Sequence, residues 1–356
     1  MRALRAVLVV SGCLCGCASS PGSGGQPSAA DAGGSDVAGQ DVVEIDTGAE
    51  ASAGVEGGSV DGGGRTDAGG DAQKAVDGGC DAAASYDELV LCDHPVAYWA
   101  MHAASSTEPD LTANANTGSY VGGAPGSATM PNGDTAADFN GSSQYLTIPS
   151  NASLSIPTTG DLTWEGWIRP DVLQFPNVSD GYVDWMGKCA SYSPTCEWEA
   201  RMYDTTNSQG RCNRMSAYVF NPSAGLGSAA DWQPTCGLIQ AGTWYHVVGE
   251  YTVHSQPADC ASAPMYPGSI DVWVDGVPWD QSQHNPTGCM SQYNVIPTAN
   301  DSPINIGTMA LDTWFPGGIG KVAVYGYLLT QAQISAHYVE MTGSQPAGSC
   351  GNTCTL

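Results

Sequence analysis

The sequence is poor in positive charge. Ten Lys and Arg stand against 36 Asp and Glu in 356 residues, a formal net charge of -26. Nucleic-acid backbones are held by clustered Lys and Arg, so this balance excludes a nucleic-acid partner and direct adsorption to an anionic membrane surface. The early apolar run Ala6–Val10 is far shorter than the ~20 residues a spanning helix needs. No Gly-x-Ser-x-Gly elbow and no His-Glu-x-x-His helix occurs, which removes two common hydrolase motifs. No pair of Cys-x-x-Cys motifs occurs, which argues against zinc. No aromatic residue precedes Tyr86, so the first quarter cannot build a core.

What is present begins with an export signal. Arg2 and Arg5 open it and Ala6–Val10 forms its apolar stretch. Leu14–Cys17 resembles the lipobox of bacterial lipoproteins, an aliphatic residue and two small ones before Cys. The resemblance implies cleavage of a 1–16 signal peptide and acylation of Cys17, a stable membrane anchor. Val10–Cys13 fits the same pattern, but Cys17 leaves a longer apolar core. Ala18 is not Asp, which by the same resemblance points to the bacterial outer membrane or cell surface. Residues 17–85 are rich in Gly, Ala, Asp and Ser. Such a segment cannot offset its ordering entropy and its charges repel one another, so a disordered stalk is expected.

From Tyr86 the composition changes, and residues 86–345 read as one domain followed by a Cys-containing tail, 346–356. Gly242–Thr252 and Ile270–Val277 alternate in period two and are rich in Val, Tyr and Trp, and Asp275-Gly276 supplies a tight turn. Further strands are expected at Pro95–Met101, Thr135–Gly141, Gln144–Pro149, Asp161–Pro170, Tyr182–Gly187, Cys196–Tyr203, Arg214–Phe220, Ile304–Gly307 and Gly320–Tyr327. Only the last element looks helical: Thr330 and Gln333 form a capping box before Ile334, Tyr338 and Met341, and Gly343 ends it. The fold class is therefore all-β, an antiparallel two-sheet sandwich or jelly roll with one short C-terminal helix.

Several pieces in fixed order resemble the LamG-like jelly roll of the concanavalin A-like lectin/glucanase group. They include Ala97–Trp99, Ala137–Gly141, Leu162–Ile168, Trp244–Val247, Val272–Gly276, Ile306-Gly307 and Val322–Tyr325 within Val96–Met341. The resemblance implies a two-sheet jelly roll that binds an extracellular glycan on a sheet face or its rim loops. It also admits a structural calcium held by Asp110, Asn114, Asn116 and Asp138. Asn and Asp in such loops more often satisfy their own backbone. Gly320 stands where the family usually has an acidic residue, so a metal ligand is not expected there.

Thirteen Cys in an exported chain read as disulfides. Loss of Cys13, Cys15 and Cys17 to processing leaves an even number. Neighbourhood suggests Cys80–Cys92, Cys189–Cys196, Cys212–Cys236, Cys260–Cys289 and Cys350–Cys354, although sequence alone leaves connectivity open.

Strand parity sorts the candidate site. Val247, Tyr251, Val272, Val274, Leu162, Trp164 and Ile168 should face the core. Trp167, Trp273, His246, Glu250 and Asp271 should then share the opposite face, as a glycan platform or as a second small core under the Ser191–Gln240 loops. Loop residues Trp232, Trp279 and Trp314 are alternative contacts. For hydrolysis, Glu197 and Glu199 supply two same-face carboxylates, but Arg201 occupies the third alternate position. The expectation is non-catalytic glycan binding. A protein–protein adhesion or scaffold module is the first alternative and a glycoside hydrolase or lyase the second.

Overall fold

The computed structural model describes residue 80 and residues 83–347, apart from 157–159, 177, 179–180, 190–195, 208–209, 222–225, 253–265, 268, 280–288 and 291–298. The signal peptide and stalk therefore lie outside the described residues, as does most of the C-terminal tail. No described helix is long and apolar enough to cross a membrane.

Two eight-stranded antiparallel sheets face each other. With strands numbered along the chain, the first sheet runs β15 (Val277–Trp279), β14 (Ser269–Val274), β12 (Tyr245–Thr252), β7 (Asp161–Pro170), β18 (Pro316–Tyr325), β5 (Thr135–Asn140) and β4 (Gly126–Thr129). Strand β1 (Ala97–Trp99) also pairs with β18. The second sheet runs β11 (Leu226–Trp232), β10 (Met215–Asn221), β9 (Cys196–Tyr203), β8 (Tyr182–Cys189), β17 (Ile304–Ile306), β6 (Tyr145–Ile148), β3 (Gly118–Val121) and β2 (Thr107–Glu108). A small ladder pairs β13 (Tyr266–Pro267) with β16 (Cys289–Met290).

The expected central pair is adjacent, with Val248 opposite Trp273 and Glu250 opposite Asp271. Strand β7 lies on the other side of β12, so all three share one sheet. Parity holds: Leu162, Trp164, Ile168, Val247, Tyr251, Val272 and Val274 enter the inter-sheet core. There Trp164 meets the edge of Trp185 at 5.7 Å and stacks on Trp198 at 6.4 Å. Gly249 makes this possible, because a Cβ at that position would fall 2.2 Å from the Trp164 ring. The bulky indoles fill the gap between the sheets, and the glycine lets one of them lie flat on the neighbouring backbone.

Two α-helices occur among the described residues, one more than the sequence pattern suggested. α1 spans Tyr86–Cys92 and α2 spans Gln331–Thr342. α2 carries the expected capping box of Thr330 and Gln333, and Gly343 ends it in the left-handed region. The unforeseen α1 is capped by Ser85, whose side chain accepts from the Glu88 amide. Its brevity hid it: a two-turn helix has too few residues for a readable period.

Three of the five expected bridges fall within the described residues, and all three are present: Cys80–Cys92, Cys189–Cys196 and Cys212–Cys236. The Cys260–Cys289 and Cys350–Cys354 pairings reach outside the described residues.

Candidate functional site

The outer face of the first sheet brings together the residues that parity assigned to it, but it is closed. Trp167 and His246 are buried and Glu250 nearly so, while Trp273 and Asp271 are half-buried. The cover is not the cysteine-rich loops but the two helices. Tyr86 and Val90 of α1, and Ile334 and Met341 of α2, pack with Trp167, Val248 and Tyr325 in a second apolar cluster that Trp273 and Tyr338 flank. Trp167 stacks between His246 at 4.9 Å and Tyr338 at 6.0 Å, and its indole donates to the Tyr86 hydroxyl at 2.9 Å. Trp273 donates to Glu250 at 2.7 Å. The expected glycan platform is therefore corrected at Trp167, His246 and Glu250, which are buried, while Trp273 and Asp271 keep partial exposure at its margin. A sugar has no access to rings already sandwiched by protein.

Beneath the helices lies a polar network. Glu165 accepts from Tyr325 at 2.5 Å, His246 at 2.8 Å and His337 at 3.0 Å. His337 turns its other nitrogen to Asp93 at 3.0 Å. Both His337 nitrogens thus face carboxylates, which requires both to donate and the ring to be cationic. Burial opposes that charge, but Glu165 and Asp93 win and push the His337 pKa up to about 9. Burial likewise works against the Glu165 charge, yet the two histidines hold its pKa well below the carboxylate range.

The expected calcium ligands do not converge either. Asp110 accepts from the backbone amides of Tyr98, Thr112 and Asn116 at 2.8–3.0 Å, so its oxygens are spent shaping its own loop. Asn114 donates to the Val96 carbonyl, and the Asn116 carbonyl accepts from the Trp99 indole. Asp138 lies on β5, paired with Arg169 at 3.1 Å. No group of three acidic, His or Cys side chains suited to a metal occurs among the described residues.

The other outer face is different. Neither α1 nor α2 packs on the second sheet, although Glu197, Glu199 and Tyr203 of its outer face are themselves buried. Its β9 alternates Trp198, Ala200 and Met202 into the core, leaving Glu197, Glu199, Arg201 and Tyr203 outward. Register aligns Asp184 of β8 with Arg201, Arg201 with Ser216 of β10, and Ser216 with Asp231 of β11, one polar row across four strands. Arg201 donates to Asp184 at 2.7 Å and lies 2.7 Å from Glu199. Its guanidinium sits between the rings of Tyr182, 4.0 Å away, and Tyr218, 4.6 Å away. Tyr218 stacks on Phe220 at 6.1 Å, and the Tyr203 hydroxyl lies 3.0 Å from that of Tyr218. Tyr182, Tyr218, Phe220 and Arg201 all keep partial exposure.

The carboxylates here are differently placed. Glu197 is wholly engaged: Lys188 lies 3.1 Å away, and Ser155, Ile156 and Asn300 donate to it. Glu199 is buried with Arg201 2.7 Å from it, and among the described residues its oxygens have no other side-chain partner. Burial is the main cause of its pKa rise to about 8. Arg201 opposes that rise, and Asp184 adds to it.

The alternative contacts scatter. Trp232 is buried on β11 against the more exposed Trp279, their rings 5.7 Å apart, and Trp314 meets Tyr145 at 5.8 Å. The sequence did hold a signal for the second sheet: the alternate residues 197, 199, 201 and 203, with Tyr218 and Phe220 two apart, read as one outward face.

Residues 140–335 match the family described as the concanavalin A-like lectin/glucanases superfamily, and the chain belongs to that family, as the motif order suggested. Among solved structures it is similar to domain 4 of AbnA, a GH43 extracellular arabinanase from Geobacillus stearothermophilus, in complex with arabinotriose. Identity is 15%, the TM-score 0.46, and the match covers 68% of this chain and 98% of that one. It is also similar to the binding domain of Paraclostridial Mosquitocidal Protein 1, with 14% identity, a TM-score of 0.48, and 70% and 52% coverage. For the binding domain of Botulinum Neurotoxin DC in complex with SialylT the values are 13%, 0.47, 70% and 51%. The chain spans about half the length of these two toxin domains. No curated protein matches the sequence significantly.

Proposed function

We propose that this member of the concanavalin A-like lectin/glucanase superfamily is a lipid-anchored lectin of the bacterial surface. It binds an extracellular glycan, without cleaving it, on the outer face of the second sheet. The observation that carries the reading is the Tyr182–Arg201–Tyr218 sandwich beside Phe220, mostly buried rings that keep partial exposure and are held rigidly by a buried ion network. Sugar rings present apolar C–H faces to aromatic planes, and flanking polar groups fix their hydroxyls. Rings clamped in advance lose little freedom on binding. The carboxylates favour binding over hydrolysis. Glu197 is locked to Lys188, and Glu199 is buried beside Arg201, so no pair stands free on either side of a sugar bond.

A glycan array probed with the chain from Ala18 onward, with and without chelator, tests this. A discrete set of bound glycans is expected, insensitive to chelator. Tyr182→Ala is expected to weaken the best of them by about 1–3 kcal/mol, the scale of base stacking on aromatics. Absence of binding to every glycan would instead favour the scaffold alternative. Anchoring is tested separately: Cys17→Ala should abolish labelling by a radioactive fatty acid and release the protein from the membrane fraction. Retained labelling would move the anchor to Cys13, and an unlabelled wild-type chain would remove it.

A further inference from the structure

From residue 80 onward the chain has six Lys and Arg: Arg169, Lys188, Arg201, Arg211, Arg214 and Lys321. Five of them lie within ion-pair distance of carboxylates. Arg169 meets Asp138 and Asp171, Lys188 meets Glu197, Arg201 meets Asp184 and Glu199, Arg214 meets Asp231, and Lys321 meets Asp87 and Asp134. Arg211 is the exception: among the described residues its guanidinium has no carboxylate partner. In so acidic a chain an unpaired arginine is conspicuous, because carboxylates outnumber cations by 36 to 10.

Its position is set by the fold. Arg211 precedes Cys212 in the turn between β9 and β10, and the Cys212–Cys236 bridge pins that turn. The backbone amide of Arg211 is held by the Asn207 side chain, and its guanidinium donates to the Tyr203 hydroxyl at 2.8 Å. Arg201 reaches the same hydroxyl from the other side at 3.3 Å. Two guanidiniums therefore converge on one phenol at the edge of the aromatic sandwich. Arg201 is spent on its own network. Arg211 uses a single donor and remains half-exposed, its other N–H groups without a partner among the described residues. The nearest carboxylate by its electrostatic influence, Asp231, is occupied by Arg214 at 3.0 Å and by Ser216.

We propose that Arg211 is the specificity-determining residue of this face and that it selects a glycan bearing a sugar carboxylate, of the uronate class. The inference rests on the glycan-binding reading above and refines it. A planar guanidinium edge matches a planar carboxylate with two parallel hydrogen bonds, whereas a sulfate ester would leave its third oxygen without a donor. The carboxylate would also supply the missing counter-charge. The acidic remainder of the chain repels long polyanions, so a short or terminal acidic unit fits better than an extended one.

The test is a set of short oligosaccharides built as neutral sugars, as their uronate counterparts, and as methyl esters of those uronates. Affinities are measured calorimetrically for the wild-type chain from Ala18 onward and for Arg211→Gln and Arg211→Lys. The expected result is preference for a uronate over its neutral and esterified forms, on the order of tenfold to a hundredfold for a charge-assisted contact. Arg211→Gln should erase the preference and Arg211→Lys should retain part of it, with the fold of each variant checked by circular dichroism. Equal binding of uronate, ester and neutral sugar by the wild type overturns the inference while leaving the lectin reading intact. So does a preference that survives in a folded Arg211→Gln variant. Binding of none of the sugars overturns the lectin reading, and this inference with it.

Discussion

Glu165→Ala is expected to destabilise the domain by about 3–5 kcal/mol, the scale for removing one partner from a buried charge network. For a domain of this size that corresponds to a fall in melting temperature on the order of 10 °C. Glu165 is fully buried and receives Tyr325, His246 and His337. It ties β7 to β12, β18 and α2 at one point. Without it the cationic His337 keeps only Asp93, and the His246 ring loses its hydrogen-bond partner among the described residues. Glu165→Gln keeps the volume and one acceptor but not the charge, and should fall between wild type and Glu165→Ala. Thermal unfolding followed by tryptophan fluorescence measures both. A loss below about 1 kcal/mol for the alanine variant would reject the network as a structural element.

The second large effect is a decline of stability with rising pH. His337 has its folded pKa raised from 6.5 to about 9. Its contribution is therefore complete below the unfolded pKa and is lost as pH climbs through the folded one. By the conversion of pKa shift into free energy this is on the order of 3 kcal/mol. Two buried carboxyls act in the same direction. Burial raises Glu199 to about 8 and Glu250 to about 7, so unfolding releases their protons once pH exceeds the unfolded value near 4.5. Glu165 acts in the opposite sense. Its folded pKa is depressed, so its contribution is present above about 4.5 and lost only as pH falls further. Stability should peak near pH 4.5, begin to fall above it as Glu199 and Glu250 oppose deprotonation, and decline more steeply from about pH 6.5 toward pH 9 as His337 adds its share. Urea titrations at pH 5.5, 7.5 and 9.5 should give falling midpoints, and His337→Gln should flatten the alkaline limb. A midpoint that rises across that range would contradict the assignment of charge to His337.

Much of the fold was legible because alternation and turn residues are local signals. Val247, Tyr251, Val272 and Val274 declared their side by period alone, and their strands proved adjacent. Three bridges were readable because each joins cysteines close in sequence around one loop, helix or hairpin. The site was less legible. Parity states which residues leave the core but not what waits outside. Whether Trp167 and His246 met solvent depended on α1, a seven-residue helix whose packing depends on the distant Lys321, Tyr98 and Trp167. Outward residues on the second sheet were visible as alternation in 197–203. Their grouping with Tyr182 and Arg211 required the register of β8 on β9 and a turn closed by a bridge. Such long-range pairings have no signature within one stretch of chain.

The point where the described chain enters the domain has a mechanical consequence. Cys80 is bonded to Cys92 across α1, and α1 is seated on the first sheet through Tyr86 against Trp167 and Asp87 against Lys321. The chain then runs directly into β1, which is hydrogen-bonded along β18 in the interior of that sheet. A pull on the segment before Cys80 is therefore taken first by a covalent bond and then by the middle of the first sheet. The strands bearing Tyr182, Arg201 and Tyr218 belong to the opposite sheet and lie outside this load path. Under the proposed anchoring and glycan binding, tension on the segment before Cys80 would bypass the aromatic clamp and leave its geometry undistorted.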